Sequence, residues 1–290
     1  MGFEGLACRL HTFSRAKRLV AVESGDIGNR NVLLFIGGLG DGLNATPFIE
    51  PLSTRLEEGG WALVQILTSS SGSGWGTGSV GRDAEEIAEC VRYLRGLGRQ
   101  RIALLGHSTG CQDSVQLFTD IADAAELVDG VILQAPVSDR ESMAHEMGER
   151  LDQAIAKARS LAPHELMPRD GEGSPMTAAR FLSLYATGGA EDFFSSDLDD
   201  RELRDKLGVF RAPVAFLISG EDGYMPPHVD KAQLLARFVQ AAGSHASSHS
   251  GVIAGANHSI EDPDAQDRFL DIVLAFLDDL TAADDMHGPF

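Results

Sequence analysis

The sequence predicts an α/β fold, with a mostly parallel central sheet and helices on both faces, on three observations. Short apolar runs alternate with helical patterns along most of the chain, the rhythm of strands joined by crossover helices. The chain's one Gly-x-Ser-x-Gly, at 106–110, falls directly between an apolar run and a helical pattern. The rhythm breaks once, over 138–208, in strand-poor sequence too long for an ordinary connection.

The elements follow in order. The N-terminal stretch holds one or two edge strands, 19–22 among them, and 31–36 reads as a buried strand followed by glycines at 37, 38, 40 and 42. Thr46-Pro47 opens a helix to about Glu58, with Pro at its first position and Gly59-Gly60 as its stop. A strand over 61–67 leads through a Ser/Gly-rich loop, 69–81, to a helix over 83–97 closed by Gly98. Then come a strand at 101–105, a helix at 109–120 and a strand at 128–133. After the break, 214–219 and 250–254 read as strands and 229–242 and 264–280 as helices, with a frayed tail past 281. Residues 1–137 and 209–290 are therefore expected to form the core domain. The stretch 138–208 is expected to be a helical cap over the sheet's carboxyl edge, where open α/β sheets bind ligands.

Composition narrows the function. With 24 Lys+Arg against 43 Asp+Glu the net charge is −19, so no basic face is available to displace counterions from nucleic acid. No run approaches the ~18 apolar residues of a membrane span, and no secretory leader is apparent. The three cysteines, at 8, 90 and 111, are odd in number and widely spaced, which suits a reducing compartment and makes the cytoplasm the expected address.

The chemistry gathers around Ser108. A bare Gly-x-Ser-x-Gly is a weak signal, but here Ile102-Ala-Leu-Leu105 precedes it and a helix follows, the context of a nucleophile elbow in an α/β-hydrolase. Small neighbours let helix and strand approach while the serine occupies a strained turn, and the helix N-terminus favours negative charge beside it. A serine hydroxyl needs a base to take its proton and a carboxylate to orient that base. In this fold the chain order is Ser, acid, His. Asp222 follows the strand at 214–219 and stands four residues before Pro226, with Glu221 as fallback. His258 satisfies the order in the loop between the last strand and the last helix. His107 is expected to point away from the apex and to pack. The oxyanion needs two fixed N–H donors, expected from Thr109 and from Leu39 in the glycine loop.

Two rivals fall away. Gly40-x-Gly42-x-x-Ala45 and Gly76-x-Gly78-x-x-Gly81 resemble dinucleotide fingerprints, but neither following strand ends in the acid that would grip a ribose. His245 and His249 have i, i+4 spacing yet lack a third ligand, so no metal site is assigned.

Gly106-His-Ser-Thr-Gly-Cys-Gln-Asp113 makes a family resemblance specific, and further matches are Ser71 to Thr77, Asp192-Phe-Phe-Ser-Ser-Asp-Leu198 and Ser219 to Pro226. Over roughly 5–280 the chain resembles the fungal and plant α/β-hydrolases that include the fungal siderophore esterases. The resemblance implies a serine esterase using Ser108, Asp222 and His258, no cofactor, a small-molecule ester as partner, and ester-linked hydroxamate siderophores as a substrate class. The alternative is a hydrolase-fold binding protein without turnover, for which a complete Ser/Asp/His set would be superfluous. The same view draws attention to Trp75, as pocket wall or as packing. It also points to Asp197 and Asp199, as acids meeting a cationic substrate group or as the start of a solvated helix.

Overall fold

Apolar residues on alternate positions of the central strands face two different helix layers, and that division builds the molecule. A computed structural model describes residues 6–168 and 173–285. Its strands are β1 Arg9–Ser14, β2 Leu19–Gly25, β3 Asn31–Ile36, β4 Ala62–Ile66, β5 Arg101–His107, β6 Gly130–Gln134, β7 Val214–Ser219 and β8 Gly251–Ile253. They form one sheet in the order β1-β2-β4-β3-β5-β6-β7-β8. β2 runs antiparallel to β1 and β4, and every pairing from β4 to β8 is parallel. The N-terminal stretch supplies two strands, but only β1 lies at the edge; the strand expected at the edge over 19–22 is β2, which pairs on both sides, with β1 and β4.

The helices are α1 Ile49–Glu58, α2 Val80–Gly96, α3 Thr109–Asp120, α4 Ala124–Leu127, α5 Asp139–Met147, α6 Glu149–Arg159, α7 Ala178–Tyr185, α8 Asp200–Leu207, α9 Lys231–Ala242 and α10 Pro263–Asp285. Val32, Leu34 and Ile36 of β3 belong to one core cluster with Ile87 and Val91 of α2, Val115 of α3 and Phe238 of α9. Leu33 and Phe35, pointing the other way, pack with Leu52 and Leu56 of α1 and with Phe269 and Val273 of α10. Covered on both faces, β4, β6 and β7 are buried throughout, which is why they read as unbroken apolar runs.

Local signals set several boundaries. Within the Ser/Gly loop a 3₁₀ turn covers Gly72–Thr77, and the Ser79 side chain accepts from the Arg82 N–H at 3.2 Å to cap α2. The four-residue α4 carries too short a period to be legible beforehand. α10 continues to Asp285, and the tail beyond it lies outside the described residues.

The helical stretch between β6 and β7 divides in two. Helices α5 to α7 enclose a small apolar cluster of Leu151, Leu184 and Tyr185, against which Leu39 and Trp75 pack from the loops at the sheet's carboxyl edge. Phe193, Phe194, Leu203 and Leu207 join the main core instead, with the Phe194 ring 5.6 Å from that of Phe238 on α9. Only the first part of the stretch overlies the carboxyl edge; α8 is part of the body.

Candidate active site

Ser108 sits where β5 turns into α3, at φ 53° and ψ −121°, a left-handed conformation that costs a non-glycine residue on the order of 1–3 kcal/mol. The glycines on either side explain how the turn closes. A Cβ on Gly106 would lie 2.4 Å from the Gly110 carbonyl oxygen, and one on Gly110 would lie 2.2 Å from that of Ile36. Strand, helix and neighbouring strand thus meet backbone to backbone, and only hydrogen fits between them. The Ser108 N–H donates to the carbonyl of Gln134 at 3.1 Å, which ties the elbow to β6.

His258 and Asp222 come from loops after β8 and β7. The Nδ1–H of His258 donates to Asp222 Oδ2 at 2.8 Å; since a carboxylate only accepts, this bond assigns the proton to Nδ1 and leaves Nε2 its lone pair. The other oxygen, Oδ1, accepts from the Tyr224 N–H at 3.0 Å. Asp222 is 4% exposed, whereas Glu221 lies in solvent, so Asp222 is the acid that meets the histidine. Ser108 and His258 line one cavity of about 310 Å³. The Ser108 hydroxyl makes no hydrogen bond to a described residue; bonds of this kind are often long in a free enzyme and tighten in the complex.

The glycine loop lies against the elbow, and a Cβ on Gly38 would come within 2.9 Å of Ser108 Cβ. Asp41 shapes the loop: its Oδ2 accepts from the Gly38 N–H at 2.7 Å, and its own N–H donates to the Gly38 carbonyl at 3.1 Å. That occupies the Gly38 amide and leaves Leu39, which lines the cavity, as the next donor along the loop. Thr109 is the first residue of α3, whose leading N–H groups have no intrahelical acceptor.

Two residues of this site were not anticipated as such. His107 is buried and packs near Phe35 and Phe48, as expected of a packing group, yet it also lines the cavity with its ring centroid 4.9 Å from that of His258. Burial, followed by the nearby His258 charge, pushes its pKa down to about 4, so it is neutral at physiological pH. Gln134, fully buried, accepts from His107 Nδ1 at 2.5 Å through Oε1 and donates through Nε2 to Ser219 Oγ and to the His258 carbonyl, each at 3.1 Å. The available signal was a polar residue at the carboxyl end of an apolar central strand, where sheet-edge sites are built.

The residues expected to meet substrate lie elsewhere. Trp75 is absent from the lining of the catalytic cavity; its ring packs over Gly40, where a Cβ would touch Trp75 Cδ1 at 3.0 Å. It borders instead a small neighbouring void of about 20 Å³ shared with Thr109, Asp113 and Arg180. Asp197 pairs with Arg140, which also holds the buried Asp192 at 2.9 Å. Asp199 caps α8, accepting from the Arg201 and Glu202 N–H groups at 2.8 Å while Glu202 accepts in return from the Asp199 N–H. Neither aspartate lines the catalytic cavity, because each carboxylate is engaged in holding its own segment. His249 bonds Asp279 at 2.8 Å. Among the described residues no group of three His, Cys, Asp or Glu is placed to hold a metal, and no helix is long and apolar enough to cross a membrane.

A strained serine between a parallel strand and a helix, sharing a cavity with a histidine–aspartate couple from later loops, defines an α/β-hydrolase. The chain belongs to the DUF1749 family, described as proteins of unknown function, over residues 1–278. It is 33% identical to an esterase of Emericella nidulans, over 88% of this chain and 87% of that one. It is 31% identical to a fusarinine C esterase of Aspergillus fumigatus, over 87% and 90%. The solved siderophore hydrolase EstB from Aspergillus fumigatus shares its fold with a TM-score of 0.81 at 28% identity, covering 97% of this chain and 99% of that one. The fungal hydrolases that include the siderophore esterases are thus its relatives, and the chain is a carboxylic ester hydrolase.

Proposed function

We propose that the protein cleaves carboxylic esters through an acyl-enzyme on Ser108. Ser108 Oγ attacks the ester carbonyl while His258 Nε2 takes its proton, and Asp222 holds the imidazole in the tautomer that leaves Nε2 free. The N–H groups of Leu39 and Thr109 receive the oxyanion, which the N-terminus of α3 also stabilises. Collapse of the tetrahedral intermediate expels the alcohol, which leaves with the proton from His258. Water, deprotonated by the same histidine, then releases the acid and restores Ser108. The observation that carries this reading is the cavity shared by the strained Ser108 and by His258, whose Nδ1 is 2.8 Å from Asp222.

Ester-linked hydroxamate siderophores are the substrate class we favour, supported by the names of the fusarinine C esterase and siderophore hydrolase relatives. A reducing cytoplasm suits Cys8, Cys90 and Cys111, all free. Hydrolysis of a p-nitrophenyl ester series, beside iron-free and iron-loaded hydroxamate esters, tests the reading. Ser108→Ala should abolish turnover and labelling by a fluorophosphonate while the melting curve stays intact. Its rate over water should fall to on the order of 10³-fold, the share left to oxyanion binding and positioning. Unchanged turnover in that variant would end the proposal, and a stable wild-type protein that neither labels nor turns over would be a binding protein.

A further inference from the structure

The catalytic cavity is electrostatically one-sided. Asp41, Asp139 and Glu146 line it, together with Ser142, Tyr185 and Tyr224, and no lysine or arginine does. Of its two histidines, His107 is neutral at physiological pH and His258 is already paired with Asp222. Asp41 is occupied with the Gly38 amide. Asp139 opens α5, and its Oδ2 accepts from Gln112 Nε2 at 2.8 Å. Glu146 lies one helical stretch further along α5, exposed at the mouth. Behind this wall Arg180 is buried and already bonded to Glu191 at 2.6 Å.

A second observation points to a ligand at the same place. Tyr185 is only 6% exposed and lines the cavity, yet its hydroxyl makes no hydrogen bond to any described residue. The ring is buried while the hydroxyl opens to the cavity, where it is free to bond a ligand. Burial and then the Asp139 charge push its pKa up, which keeps it a neutral phenol beside that carboxylate. Burial likewise raises the Asp139 pKa to about 6; a carboxylate so poorly solvated gains more from a cationic partner than one in water.

The segment Asp192 to Asp197, otherwise without a role in the site, holds Asp139 in place. Ser138 Oγ meets Ser195 Oγ at 2.6 Å, Arg140 binds Asp192 at 2.9 Å and also Asp197, and Glu141 accepts from the Ser196 N–H at 2.8 Å and its hydroxyl at 2.6 Å. Every residue from 138 to 141 except Asp139 is thereby clamped to one segment, and Asp139 is left to face the cavity.

We propose that Asp139 and the Tyr185 hydroxyl, with Glu146 at the rim, form a subsite for a protonated primary amine carried by the ester substrate. Resting on the hydrolase reading, the proposal names what the same cavity recognises beyond the ester. The ammonium donates to the Asp139 carboxylate and to the Tyr185 oxygen, while the ester lies toward Ser108. Asp197 then serves this subsite by bracing its frame through Arg140, and Asp199 stays at the start of α8.

The test compares the ethyl ester of ω-aminocaproic acid with that of its N-acetyl derivative. Wild-type kcat/KM should favour the free amine by about tenfold or more, the worth of one charge-assisted hydrogen bond. Asp139→Asn should bring that ratio near one, and Tyr185→Phe should lower it. A variant that folds poorly would lose rate on both esters and keep the ratio, so the ratio itself is decisive. In parallel, calorimetric Kd values for both esters are measured on Ser108→Ala, where no turnover interferes. Equal cleavage and equal binding of the two esters by active protein would overturn the amine subsite and leave the hydrolase reading standing. Preferential binding of the amine ester by a protein that cleaves neither would uphold the subsite and overturn the hydrolase reading.

Discussion

His107 and His258 stand ring beside ring, centroids 4.9 Å apart and planes inclined by 52°, so the His258 ring rests on a second imidazole that is itself uncharged. That neutrality has a consequence for stability. The pKa of His107 is near 6.5 in an unfolded chain and about 4 when folded, so between these values the unfolded state binds more protons. Its contribution is therefore present in full above about 6.5 and is lost as pH falls toward 4, on the order of 3 kcal/mol in all. Asp139 and Glu191, raised to about 6 and about 7 by burial, act in the opposite sense. The comparison that isolates His107 is the unfolding free energy of wild type against His107→Asn. The gap should narrow steadily as pH falls through that window; a gap independent of pH would mean that His107 is not held neutral.

Gln134 is a positioning residue, since its side chain joins the His107 ring to the His258 backbone. Gln134→Ala leaves these buried groups without a partner, a loss of about 1–3 kcal/mol for each, and frees the His258 loop. Turnover of p-nitrophenyl acetate should fall tenfold or more in kcat (roughly the rate equivalent of that loss) with little change in KM. A fall confined to the melting temperature, with kcat intact, would reduce Gln134 to packing.

The elbow glycines should tolerate nothing larger. Gly110→Ala would press a methyl group to 2.2 Å from the Ile36 carbonyl, and we expect a loss of at least about 3 kcal/mol or failure to fold. Gly42→Ala is the control: nothing lies within 4 Å of the added carbon, so denaturant midpoints should agree to within about 0.5 kcal/mol of wild type. Equal tolerance at both positions would contradict the close approach at the elbow.

Trp75 and Asp199 should now behave as structural residues. Asp199→Ala removes the side-chain oxygen that accepts from the Arg201 and Glu202 N–H groups at the start of α8 and should lower Tm by roughly 2–4 °C without altering kcat/KM for large or small esters. Trp75→Ala should uncover Gly40 and Leu39, reducing rates on both ester classes in parallel with Tm. A loss on bulky esters alone would return Trp75 to the substrate pocket.

Periodicity and short motifs act locally, and what they govern was legible. Buried strands show as apolar runs because both faces are covered, and the elbow shows because Gly106 and Gly110 have no room for a side chain beside Ser108. Chain order alone put Asp222 and His258 on loops at the sheet's carboxyl edge. Other properties depend on which distant segments pack together, and a one-dimensional pattern does not carry that. Asp222 and Glu221 are neighbours in sequence, but the Gly220-to-Ile253 and Glu221-to-Ala256 backbone bonds orient their turn so that one carboxylate meets His258 and the other meets water. Asp139 and Tyr185 lie on different helices, and only the packing of α5 against α7 brings both to the cavity. Sequence by itself determined the fold and the strained turn at Ser108. Tertiary structure decided which acids face the cavity, because electrostatic neighbours are set by proximity in space and not by spacing along the chain.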